Sequence, residues 1–96
     1  MAKYILSARA TADLDGIWNY TELRWGLDQA EEYTNTIRGD LAFLVEHPER
    51  RRPCGEIRPE YFKHSSGSHV VFYRLSGENL FVARILHQRM DFRRHL

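Results

Sequence analysis

The sequence predicts an α+β domain with the element order β-α-α-β-β-β. An N-terminal helical hairpin packs on one face of a mostly antiparallel four-stranded sheet. Three observations carry that prediction. Apolar residues in the first half recur at helical spacing, those in the second half follow strand-like runs, and two turn signals divide the second half into three such runs. The 96 residues form a single domain, 1–96.

Lys3 to Leu6 predicts a short first strand, and Ser7 is placed to cap the helix after it. In that helix Ala10, Leu14, Ile17, Trp18, Thr21 and Trp25 keep helical spacing, and Gly26 ends it. A second helix begins near Leu27 or Asp28, where acidic Asp28, Glu31 and Glu32 suit the positive end of the dipole. Its stripe is Ala30, Tyr33, Ile37, Leu41 and Leu44, and Pro48 stops it. The connection at Gly26 is so short that the two helices form an antiparallel hairpin. Gly39 costs the second helix about 1 kcal/mol relative to alanine, which a close helix–helix contact would explain. Residues 48 to 60 carry Pro48, Pro53, Gly55 and Pro59 and form a long loop. The strand runs are Tyr61 to Ser65, His69 to Leu75 and Leu80 to His87, with turns at Ser66-Gly67 and from Ser76 to Asn79. Ile17, Ile37, Leu41, Val71 and Ile85 are the expected centre of the core.

Composition is that of a globular protein, 43% hydrophobic and 28% charged. A net charge of +1 forces neither a nucleic-acid nor a membrane reading. Charge is uneven, with acids early in the chain and arginines at 50–52, 58, 89, 93 and 94. No apolar run spans a bilayer and the Met1–Ser7 opening is too short for a signal peptide, so the expected location is the cytoplasm. The single cysteine, Cys54, fits a reducing compartment. It is expected to be an incidental surface thiol, with basic neighbours that could lower its pKa.

The last two strands are apolar on both faces. Val71, Tyr73 and Leu75 lie on one face of the first and Val70, Phe72 and Arg74 on the other; Phe81, Ala83 and Ile85 alternate with Leu80, Val82, Arg84 and Leu86 on the second. A sheet with one wet face alternates apolar with polar. Both helices lie on one side, and the tail from Met90 to Leu96 is too short to cover the other side completely. The face carrying Val70, Phe72, Val82 and Leu86, edged by Arg74 and Arg84, is therefore expected to bind a partner.

Several short motifs follow one another along the chain. They are Asp13-Leu14, Ile17-Trp18-Asn19-Tyr20, Arg24-Trp25-Gly26, Gln29-Ala30-Glu31 with Tyr33, His47-Pro48, Arg52-Pro53 and Glu56-Ile57-Arg58-Pro59. The strongest are the run from His69 to Arg74 and that from Arg84 to Asp91. Together they resemble the ParE branch of the RelE/ParE toxin–antitoxin superfamily over essentially the whole chain. The resemblance implies a toxin of a type II system. It acts by protein binding on DNA gyrase and is neutralised by a ParD-like antitoxin with a ribbon-helix-helix domain. DNA would be reached only indirectly, through that antitoxin. Arg51 and Arg52 join the antitoxin contacts, and His87, Arg89, Met90, Arg93 and Arg94 are the candidates for target contact.

The alternative is a ribosome-dependent mRNA endonuclease of RelE type. Such chemistry needs cations beside the phosphate and groups that move protons. On alignment with cleaving relatives, the positions of two arginines and a C-terminal tyrosine fall near Val70, Met90 and Leu96, all apolar, and no tyrosine follows Tyr73. His87 with Arg84, and His95 beside Arg94, are weaker candidates for acid–base work. His64 and His69 flank a turn and could approach across it, but nothing completes a zinc set. No phosphate-binding glycine loop is present. The expectation is no enzyme activity, no metal and no cofactor. The Arg50-Arg51-Arg52 run could touch nucleic-acid phosphate, but no aromatic residue follows it before Tyr61, so antitoxin contact ranks higher.

Overall fold

The computed structural model describes residues 2–55 and 58–96. Met1 at the chain opening, and Glu56 and Ile57 of the middle-loop motif, lie outside the described residues. The elements are β1 (Tyr4–Leu6), α1 (Ala8–Trp25), α2 (Leu27–Glu46), a 3-10 turn (Pro48–Arg50), β2 (Arg52–Pro53), β3 (Phe62–Ser66), β4 (His69–Ser76), β5 (Asn79–His87) and a second 3-10 turn (Phe92–Arg94). The sheet order is β1-β5-β4-β3-β2, antiparallel except for β1 beside β5. Four strands are expected from the sequence; the fifth is β2, two residues from the middle loop. Arg-Pro is a weak strand signal, because proline offers no ladder amide and sits only at an edge.

The hairpin forms as its caps dictate. The Ser7 hydroxyl accepts from the Ala10 amide at 2.9 Å and donates to the Ala83 carbonyl at 2.7 Å, so one side chain starts α1 and pins it to β5. Gly26 has φ +96° and joins the helices without a spacer. Ala10, Leu14, Ile17 and Thr21 of α1 and Ala30, Thr34, Ile37, Leu41 and Leu44 of α2 are buried. Trp25 departs from its expected place. It lies at the turn end of the hairpin, beside Gly26, and is 68% exposed. Gly39 is exposed and a Cβ there would meet open space, so close helix contact does not account for it.

The sheet has two cores. On the helix side Ile17, Ile37, Leu41, Val71 and Ile85 all join the main cluster, together with Tyr73, Leu80 and Val82. On the outer side Phe72, Leu86 and Cys54 form a smaller cluster, covered by Tyr61, Val70, Phe92 and Leu96. Phe72 and Leu86 are only 4% and 2% exposed. The expected open apolar patch is therefore closed by the chain itself. The Phe92 ring stacks on Phe72 at 5.2 Å, and the tail is tied down by Arg84 donating to the His95 carbonyl and Arg58 to that of Leu96.

Val82 is a second correction. Strand parity puts it beside Phe72 and Leu86, yet it is fully buried in the helix-side core. Tyr73 pairs with Val82 while Phe72 pairs with Arg84, which leaves Ala83 as an extra residue. Such a bulge inverts the alternation, so residues before and after it change faces.

Candidate functional site

The bulge also borders a surface cleft. β1 ends opposite Val82, so among the described residues 83–87 of β5 have no strand neighbour on that side. The chain turns there into α1, which runs past the open edge. Between them lies a cleft of about 420 Å³, walled by Ala12, Gly16, Ile17 and Tyr20 of α1 and by Leu86, His87 and Met90 on the other side. Small residues on α1 keep it open, and a Cβ at Gly16 would find no atom within 4 Å.

Asp13 closes one end of this cleft. Its carboxylate accepts from Arg84 Nε at 2.7 Å and from the second guanidinium nitrogen at 2.9 Å, and from the Ile85 amide at 3.0 Å. Both side chains are about 15% exposed. The bond to Asp13 raises the Arg84 pKa above its ordinary value, so the guanidinium stays charged. This overturns the expectation that Arg84 waits at the rim for an acidic partner: its carboxylate is internal. Asp13 is expected from the sequence to lie off the apolar stripe of α1; the signal that could have placed it is its spacing from Ala10 and Ile17, three residues before and four after. Arg74 keeps to the outer face, its guanidinium 4.7 Å from the Phe81 ring.

At the other end the β3–β4 turn meets α2. Gly67 has φ +59° and the Tyr33 ring lies so close that a Cβ would come within 2.7 Å of it. The Tyr33 hydroxyl accepts from the Ser68 amide at 2.9 Å and is hydrogen-bonded to His69 Nδ1 at 2.7 Å. His69 packs edge-on against His87, centroids 5.4 Å apart. Burial holds the His69 pKa below its ordinary value; the neighbouring His87 adds to this and Asp13 opposes it. The expected approach of His64 to His69 does not occur, because the register sets His69 across from Ser66 and His87. His64 instead lies 3.9 Å from Asp40.

The remaining candidates scatter. His87, Arg89 and Met90 gather where β5 ends, with the Arg89 amide donating to His87 Nδ1 at 3.2 Å. Arg93 is paired with Asp91 at 3.0 Å, and that bond lowers the Asp91 pKa; Arg94 is exposed. Arg51 and Arg52 lie on the opposite edge of the sheet, beside β3, and do not join Val70 or Leu86. Cys54 is buried in the outer core rather than at the surface, and burial raises its pKa, outweighing nearby Lys63. Among the described residues no group of three metal-binding side chains occurs and no helix is long and apolar enough to cross a membrane.

A family model and the relatives similar in sequence agree on one family. The family model described as ParE toxin of type II toxin-antitoxin system, parDE, matches residues 4–92. The chain is 46% identical over 96 residues to Toxin ParE1 of Caulobacter vibrioides, covering 100% of this chain and 99% of that protein. It is 47% identical over 96 residues to Toxin ParE1 of Mycobacterium tuberculosis, covering 99% and 98%. Among solved structures, a chain from the chromosomal ParDE TA system of P. aeruginosa superposes with a TM-score of 0.77 at 18% identity, over 91% of this chain and 95% of that one, a likeness of fold.

Proposed function

The chain belongs to the ParE toxin family of type II toxin–antitoxin systems, and from that premise we propose that it inhibits DNA gyrase by binding and is held inactive by a ParD-like antitoxin. The observation that carries the antitoxin half is the open edge of β5 beside an unfilled cleft. Alternate residues of a strand turn their backbone groups to the same side. The Ile85 amide points at Asp13, so the Ile85 carbonyl and the His87 amide also look toward α1. An extended antitoxin segment added there would gain backbone hydrogen bonds, while its apolar side chains enter the cleft against Ile17, Leu86 and Met90.

The non-enzymatic half rests on how the polar groups are spent. Tyr33 and His69 are locked in a chain that orders a turn, and Arg84 is engaged by Asp13. The outer face, where Val70 stands in place of a cation that cleaving relatives carry, is packed under the tail, and Met90 stands in place of another at the cleft. The exposed cations Arg89 and Arg94, with Met90, give the C-terminal end a charged rim suited to a protein target.

Two measurements test this reading. Purified toxin is expected to inhibit gyrase supercoiling and to leave ribosome-bound mRNA intact; codon-positioned cleavage with full gyrase activity would refute it. Gly16→Phe fills the cleft from an exposed helix position. It is expected to weaken antitoxin binding at least about tenfold, roughly 1.4 kcal/mol, with an unchanged melting temperature. Unaltered antitoxin affinity would place the antitoxin elsewhere.

A further inference from the structure

The opposite edge of the sheet carries a second cleft of different chemistry. α2 contributes Phe43 from its last turns, and the 3-10 turn after Pro48 brings Arg50 back to within 6.0 Å of the Phe43 ring. β2 covers only Phe62 and Lys63 of β3, which leaves His64 and Ser65 open. Phe43, Arg50, Arg52, His64 and Ser65 enclose about 330 Å³. The His47 ring lies on Phe43 with centroids 4.4 Å apart. The aromatic rings absent from the arginine run in the sequence are thus supplied by α2.

The three arginines are not equivalent. Arg51 is extended, with φ −66° and ψ 143°, so Arg50 and Arg52 project to one side and Arg51 to the other. Arg51 packs over the Phe62 ring at 5.4 Å, whereas Arg50 and Arg52 share the cleft. Among the described residues none of the three has a carboxylate within 4 Å. The acids nearby are engaged: Glu49 with His47 at 3.7 Å, and Asp40 with the Ser66 hydroxyl at 2.5 Å and His64 at 3.9 Å.

We propose that this cleft binds the phosphodiester backbone of a nucleic acid, Arg50 and Arg52 each gripping a phosphate. Guanidinium groups offer a planar fork of N–H donors that matches phosphate oxygens. Two such forks two residues apart on extended chain stand on the order of 7 Å from each other, comparable to successive phosphates of one strand. An acidic peptide is less well matched, because Asp40 sits at the strand edge such a peptide would have to join. The cleft and the β5 edge lie on opposite sides of the sheet, so both can be filled at once. This departs from the expectation that the chain meets DNA only through its antitoxin, and it does not depend on the gyrase reading.

The test is fluorescence anisotropy of the full chain with a labelled oligonucleotide of about 20 residues, offered as single-stranded DNA, duplex DNA and RNA, between about 50 and 200 mM salt. The double variant R50A/R52A is expected to weaken binding at least about tenfold and to lower the salt slope by about two phosphate contacts. Its melting temperature is expected to stay at the parent value, since both side chains are exposed. The arm that responds identifies the nucleic acid. The proposal is overturned if no arm is weakened by the double substitution, or if polyglutamate of equal length displaces the oligonucleotide as well as unlabelled nucleic acid does.

Discussion

Truncating Phe72 distinguishes a closed outer face from an open docking patch. Its ring is 4% exposed, stacked on Phe92 and packed with Cys54 and Leu86. Phenylalanine-to-alanine changes in cores cost about 3–5 kcal/mol. One wall of this core is a tail that can settle into the vacated space, so the low end, about 3 kcal/mol, applies to Phe72→Ala. For a domain of this size each kcal/mol lowers the melting temperature by about 4–8 °C, giving a fall of roughly 12–24 °C. Circular dichroism melts of parent and variant measure it. Phe92→Ala removes only the partly exposed cover and is expected to cost about 1 kcal/mol. An exposed phenylalanine could be truncated within about 0.5 kcal/mol. A Phe72→Ala melt within about 4 °C of the parent would therefore refute the covered core and restore the open patch that strand alternation suggests.

Three further outcomes follow from the polar anchors. Asp13→Ala leaves the Arg84 guanidinium and the Ile85 amide without their partner; it is expected to cost about 3 kcal/mol in urea unfolding, and Asp13→Ala with Arg84→Met is expected to recover part of that loss. Gly67→Ala imposes both a left-handed φ and a clash with Tyr33, so a loss of about 1–3 kcal/mol is expected; an unchanged urea midpoint would mean that Tyr33 does not anchor the turn. The folded-state pKa of His69 lies below the unfolded value near 6.5, so the unfolded chain binds the extra proton first. The stability this contributes is complete above pH 6.5 and is lost as pH falls through the folded pKa. His69→Gln is expected to flatten that part of the pH profile, and an identical profile in the variant would assign the dependence to another group.

Much of the fold was legible because its signals are local. Ser7 as cap, Gly26 as helix terminator, Pro48 as stop and the alternation of β3 to β5 each act within a few residues. The five expected core residues are all buried for the same reason. What the sequence did not disclose depends on contacts between distant segments. Trp25 keeps the helical spacing but lies beyond the sheet's edge of cover, and periodicity reports a face rather than how far the opposing surface extends. β2 exists only because β3 offers it an edge. The closure of the outer face depends on Phe92 and Leu96 reaching Phe72, which no spacing rule predicts. Of the candidate site, His87 and Met90 line the cleft, whereas Val82, Phe72 and Arg84 are committed inside the molecule.

A single extra residue links those misplacements to the functional reading. Without a bulge at Ala83, β5 would keep one parity throughout, and Ile85 and Leu86 would exchange faces. The main core would lose Ile85, one of its central members, and the outer core would lose Leu86. The bulge keeps both and turns Arg84 to the outer face beside the open β5 edge, where Asp13 of α1 meets its guanidinium and takes the Ile85 amide as well. That carboxylate occupies the first open position on the β5 edge and leaves the Ile85 carbonyl and the His87 amide next in line. The edge is thus blunted where α1 crosses it and open where the cleft is widest. Blunting limits pairing with stray strands, a standing hazard for any exposed edge, while the cleft confines strand addition to a segment whose side chains fit between Ile17, Leu86 and Met90. Deleting Ala83 should consequently lower both the melting temperature and the antitoxin affinity, whereas Gly16→Phe should weaken binding alone.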